Sequence, residues 1–168
     1  MRNLHLGRLG YLLLLLALSN LAIGAADAAT IVALGASNTY GKGVARNQSY
    51  PAQLEAILRA KRSNVRVVNA GINGDTTEGM LARLDRAVPN GTSAVILQPG
   101  GNDRRKGRPD RTADIRSRLA ARGIAVIMLE NGMLHGLPHQ PDGQHLTPEG
   151  YHMLAASLAS QVSGAIGR

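Results

Sequence analysis

Ser37, Asn102, Asp142 and His145 are the residue types of acyl transfer, and each stands in a short polar segment that contains glycine. Ser37 lies in Gly35-Ala36-Ser37-Asn38-Thr39-Tyr40-Gly41, Asn102 in Gly100-Gly101-Asn102-Asp103, and Asp142-Gly143-Gln144-His145 sets a carboxylate just ahead of an imidazole. A serine hydroxyl is a poor nucleophile until a base withdraws its proton, so it needs an imidazole in reach. Charge then develops on the acyl oxygen, where fixed N–H donors stabilise it. Asn102 can supply an NH2 group, and a glycine at position 74 lets backbone approach a reacting carbon. Singly, each residue has a plainer reading: Ser37 and Asn102 as turn or cap residues, Gly74 as a turn glycine, His145 as a surface loop histidine. In this order and together they are the parts of a hydrolase.

Other chemistries fit the spacing less well. Gly35 to Gly41-Lys42 is one residue too long for a phosphate-binding P-loop, and Gly43 stands where that loop needs Ser or Thr. Gly35-Ala36-Ser37-Asn38-Thr39 is not the Gly-x-Ser-x-Gly elbow of α/β-hydrolases. A metal site is the more serious rival, because His135, His139, Asp142 and His145 are ligand types close in sequence. Pro138 interrupts any helix that would put His135 and His139 on one face.

Positioning these groups requires strands that end just before them. Thr30–Leu34, Val65–Ala70, Ala94–Gln98 and Ile124–Leu129 are β-branched, apolar runs of strand length. Between them, helical spacing marks 50–62, with Pro51 in the first turn, then 77–88, stopped by Pro89-Asn90-Gly91, and 112–122, stopped by Gly123. Thr147-Pro148 opens a last helix that continues to about Val162. The alternation predicts an α/β fold, a parallel sheet covered by helices on both faces, with ligands at the carboxyl ends of its strands.

The Gly35-Ala36-Ser37-Asn38, Gly74, Gly100-Gly101-Asn102-Asp103 and Asp142-Gly143-Gln144-His145 segments resemble, in order, the four blocks of the SGNH (GDSL) hydrolases. The resemblance is to the small bacterial arylesterase, lysophospholipase and thioesterase group, and it implies a flavodoxin-like three-layer sandwich. It also implies that Ser37 is the nucleophile, His145 the general base and Asp142 the residue orienting the imidazole. The backbone N–H groups of Ser37 and Gly74 and the amide of Asn102 would form the oxyanion hole. No cofactor or metal is implied. Ala36 and Asn38 depart from the family's usual aspartate and leucine, and altered turn packing is the expected result. The segment 130–141 is also short where the family fits a further helix and strand. A sheet of four strands, or five if a very short one forms, with a shallow acyl pocket is expected. That shortening keeps open a degenerate domain that binds acyl or glycan ligands without turnover.

Arg2 and Arg8 precede an apolar segment from Leu9 to about Ala25, and Ala26-Asp27-Ala28 fits a small-x-small cleavage site. Residues 1–28 therefore read as a secretory signal peptide, in preference to an uncleaved anchor, and 29–168 as one domain in the periplasm or outside the cell. The chain has no cysteine, so disulfides and thiolate chemistry are excluded. With no Phe or Trp, its core is expected to consist of Leu, Ile, Val, Ala and Met. The formal net charge is +8, concentrated in Arg104, Arg105, Lys106, Arg108, Arg111, Arg116 and Arg118. Lacking aromatic stacking platforms and carrying an export signal, the chain is not expected to bind nucleic acid. The basic run reads as a solvated face, or as an attraction for an anionic small-molecule or lipid ester, since it starts directly after Asn102-Asp103.

Overall fold

The computed structural model describes residues 28–61 and 63–167. The leader assigned to 1–28 thus lies, but for Ala28, outside the described residues. Four strands, β1 (Ala29–Gly35), β2 (Val65–Gly71), β3 (Thr92–Gln98) and β4 (Ala125–Met128), form one parallel sheet in the order β2-β1-β3-β4. No fifth strand joins it among the described residues, and β4 is one of its two edges. Segment 130–141 holds a 3-10 turn at Asn131–Leu134 and, at His139, an isolated bridge to Leu146.

The helices are α1 (Ser37–Tyr40), α2 (Tyr50–Ala60), α3 (Thr77–Ala82), α4 (Leu84–Ala87), α5 (Asn102–Lys106), α6 (Thr112–Ala121) and α7 (Pro148–Ile166). Period-two alternation in the strands divides the core into two layers. Ile31, Ala33, Ile96 and Ile127 pack on α2 and α7 through Leu54, Leu58, Leu154 and Leu158. Val32, Leu34, Val95 and Leu97 pack on α3, α4 and α6 through Met80, Leu84, Ile115 and Leu119. The result is the expected three-layer sandwich.

Details differ from the sequence expectation. The helix expected over 77–88 is broken at Arg83, whose side chain turns back to Asp75 and the Ala70 carbonyl. The core is not purely aliphatic: Tyr50 and Tyr151 are fully buried within it. A buried phenol needs a partner for its hydroxyl, and here Thr39 lies 3.4 Å from the Tyr50 hydroxyl and the Asn38 side-chain oxygen accepts from Tyr151 at 3.0 Å. Burial pushes both phenols well above the ordinary tyrosine range.

Because β2 and β3 flank β1 on opposite sides, the chain's connections diverge at the carboxyl end of β1. Such a switch point leaves a crevice between the outgoing loops. Ser37 and Asn102 stand on its two sides.

Candidate active site

Ser37 is the first residue of α1, two residues beyond the end of β1. His145 arrives from the other end of the chain, on a loop built to hold it. Leu146 is fully buried beside it, the His145 carbonyl accepts from the Gln140 N–H at 2.7 Å, and the Thr147 N–H donates to the Pro138 carbonyl at 3.0 Å. Thr147 caps α7 by accepting from the Gly150 N–H at 3.1 Å. A Cβ at Gly150 would collide with the Pro138 carbonyl oxygen, so the loop lies directly on the helix that follows it.

The loop brings His145 Nε2 to 2.9 Å from Ser37 Oγ and His145 Nδ1 to 2.5 Å from Asp142 Oδ2. A carboxylate only accepts, so Nδ1 carries the hydrogen, and in the neutral ring Nε2 is left to accept from the serine hydroxyl. Asp142 Oδ1 accepts two backbone N–H groups, from Gln144 at 2.9 Å and His145 at 3.0 Å. These bonds, first that from the imidazole and then those from the backbone, hold the Asp142 carboxyl well below the usual carboxylate range. His145 is buried, while the Asp142 side chain is 42% exposed behind it.

Across the crevice, buried Asn102 donates through Nδ2 to the Asp75 carbonyl at 2.7 Å. Neighbouring Asp103, also buried, accepts from the Thr77 N–H at 3.0 Å. The turn after β2 is thereby tied to the end of β3, and Arg83 braces it by an ion pair to Asp75 at 2.9 Å. Gly74 lies in this turn at φ 72°, a left-handed conformation that favours glycine. Space is not the reason, since the nearest atom to a Cβ there would be Lys106 Nζ at 3.7 Å. Ser37, Asn102 and His145 line one cavity of about 200 Å³, while Gly74 and Asp142 are not among its lining residues.

His135 and His139 also line that cavity, but the four-residue metal cluster does not form. Both His145 ring nitrogens are engaged by Asp142 and Ser37, and His139 Nδ1 lies 2.6 Å from the Leu137 carbonyl. Among the described residues no group of three or more His, Cys, Asp and Glu is placed to hold a metal ion.

Sequence reasoning missed the contacts of four residues. Asn38 donates to the Gln144 carbonyl at 3.1 Å and so joins the serine turn to the histidine loop. Gln98, buried at the end of β3, accepts from the Thr39 hydroxyl at 2.8 Å and lines the cavity. Arg105 and Lys106, read as solvated or ligand-attracting charge, point back into the site: Arg105 to Asn102 and Gln144, Lys106 to the Gly74 carbonyl at 2.6 Å. Asn38 alone had a signal, a polar residue where the family pattern has leucine.

The chain is similar to known proteins in sequence and in fold. The chain is 34% identical over 110 residues to "Esterase TesA" of Pseudomonas aeruginosa, covering 62% of this chain and 55% of that protein. It is 29% identical over 106 residues to "Arylesterase" of Vibrio mimicus, covering 60% and 53%. The chain thus spans about half the length of the curated relatives it matches. In fold it is similar to a crystal structure of TesA, with a TM-score of 0.72 at 22% identity over 81% of this chain and 99% of that one. The family described as GDSL-like lipase/acylhydrolase matches residues 33–128, a stretch that holds Ser37, Gly74 and Asn102 and stops short of Asp142 and His145. That match runs from within β1 to the last residue of β4, more than half of the chain, and the chain belongs to the GDSL-like lipase/acylhydrolase family.

Proposed function

We propose that the chain is an exported serine ester hydrolase. The observation that carries this reading is the unbroken line from Asp142 through His145 to Ser37, at 2.5 and 2.9 Å. In it, His145 Nε2 takes the Ser37 proton as Oγ attacks the acyl carbon, and Asp142 steadies the imidazolium that forms. The N–H groups of Ser37 and Gly74 and the second N–H of Asn102 receive the oxyanion. Collapse expels the alcohol, which takes the proton from His145, and a water repeats the sequence on the acyl-enzyme. Membership of an acylhydrolase family and likeness to proteins named esterase and arylesterase support the activity.

The cavity is small beside the roughly 300–1,000 Å³ of drug-sized ligand sites, and its lining is mostly polar, with Leu134 as its largest apolar side chain. Short acyl groups suit it better than long chains. The leader-like segment at 1–28 supports a periplasmic or secreted location, and the net charge of +8 supports an anionic ester substrate.

The test is hydrolysis of a p-nitrophenyl ester series of increasing chain length by the chain and by Ser37→Ala. Turnover greatest at the short end and absent from the variant is expected. A variant with near wild-type turnover would refute the nucleophile assignment.

A further inference from the structure

Helix α5 starts with Asn102 and ends with Arg104, Arg105 and Lys106. Arg105 Nη2 donates to Asn102 Oδ1 at 2.5 Å, and its Nη1 donates to Gln144 Oε1 at 2.7 Å. Gln144 is the residue before His145. One guanidinium therefore touches the amide proposed to bind the oxyanion and the loop that presents the base. We propose that Arg105 is a positioning residue for ester hydrolysis, fixing the Asn102 amide with its NH2 group turned to the acyl oxygen. This rests on the serine hydrolase reading above.

The two ends of a carboxamide are nearly the same size, and a half-turn of the group exchanges donor for acceptor. Here the Asp75 carbonyl, which only accepts, faces Nδ2 at 2.7 Å, and the guanidinium, which only donates, faces Oδ1. A flipped amide would set oxygen against oxygen and N–H against N–H. Of the two hydrogens on Nδ2, one is spent on Asp75 and the other remains for substrate. Donors stabilise an oxyanion best when they are in place before the charge forms. A cation on the amide oxygen also polarises the group and strengthens its remaining N–H as a donor. Lysine would supply the charge without the fork that reaches Asn102 and Gln144 together. Arg105 is itself exposed, so its bonds add little to stability, and its effect belongs in the rate.

The experiment is a kinetic double-mutant cycle of Arg105→Met and Asn102→Ala on p-nitrophenyl acetate, an uncharged substrate, with thermal melts of each variant. In the otherwise wild-type chain Arg105→Met should lower kcat about tenfold, with KM nearly unchanged and no drop in Tm. Arg105→Lys should stay close to the methionine variant. In the Asn102→Ala background, Arg105→Met should cost nothing further, because the group it positions is gone. Unchanged kcat in the single variant, a loss carried in KM, or the same fold-loss in both backgrounds would each overturn the inference. Ser37→Ala, run alongside, separates the two readings. If that variant still turns over, the hydrolase reading falls; if it is inactive while Arg105→Met keeps full kcat, only the role of Arg105 falls.

Discussion

The side-chain oxygen of Asn38 accepts from the Tyr151 hydroxyl at 3.0 Å, while its NH2 group donates to the Gln144 carbonyl at 3.1 Å. The residue after the proposed nucleophile thus grips both the loop that carries the proposed base and the helix behind it. Asn38→Leu would remove the acceptor of the Tyr151 O–H and the donor to the Gln144 carbonyl, at a cost of about 1–3 kcal/mol. We expect a lower Tm and a lower kcat with little change in KM, whereas Tyr151→Phe, which removes the donor along with its need, should cost less in both. Equal kcat for wild type and Asn38→Leu would show that the loop holds its position without this bond.

Asn102→Ala removes a proposed oxyanion donor, a change that typically costs on the order of a hundredfold to a thousandfold in kcat. KM should move little, since the contact strengthens as charge develops. Steady-state kinetics on one short ester decides the point, and a change confined to KM would place Asn102 in substrate binding.

Asp142→Asn keeps the shape but loses the charge that supports the imidazolium, so kcat should fall between about a hundredfold and ten-thousandfold. Stability should follow pH in a defined direction. A carboxyl depressed by bonds from His145 and Gln144 contributes stability that is fully present above its unfolded value, about 3.9, and is lost as pH falls toward its folded value. The Tm gap between wild type and Asp142→Ala should be constant above about pH 5 and shrink below about pH 4. Melts in which the gap widened on acidification would contradict the bonding described.

Salt should separate substrates by charge. Exposed charges act over roughly a Debye length, about 8 Å at physiological ionic strength. For an anionic ester, kcat/KM should fall with added salt more steeply than for a neutral ester of equal chain length. Identical salt dependence would remove the argument for an anionic substrate.

Much of this architecture is legible in the residues because the informative signals are local. Each β-branched run ends at a glycine or polar turn, and Thr147-Pro148 announces a helix with its cap and first-turn proline, so strands, helices and the positions of Ser37, Asn102 and His145 follow. Contacts that depend on where long side chains go in three dimensions are not legible in this way. Arg105 and Lys106 have the composition of a solvated face, and only the fold brings Asn102, Gln144 and the Gly74 carbonyl within their reach. Tyr50 and Tyr151 became core residues for a similar reason: Thr39 and Asn38, on the same short helix, supply partners for their hydroxyls. The break at Arg83 has no local cause, since its side chain answers Asp75 and Ala70 on another element.

Ser37 and His145 lie 108 residues apart, one after the first strand and the other just before the last helix. On the reading proposed, the order of synthesis then governs when the chemistry begins. A chain growing from its amino end carries its nucleophile almost from the start and receives its base only after the whole sheet has been made. Until α7 docks and the histidine loop is held beside Ser37, an incomplete chain lacks its proposed base. The proposed activity therefore requires the two ends of the domain to be joined.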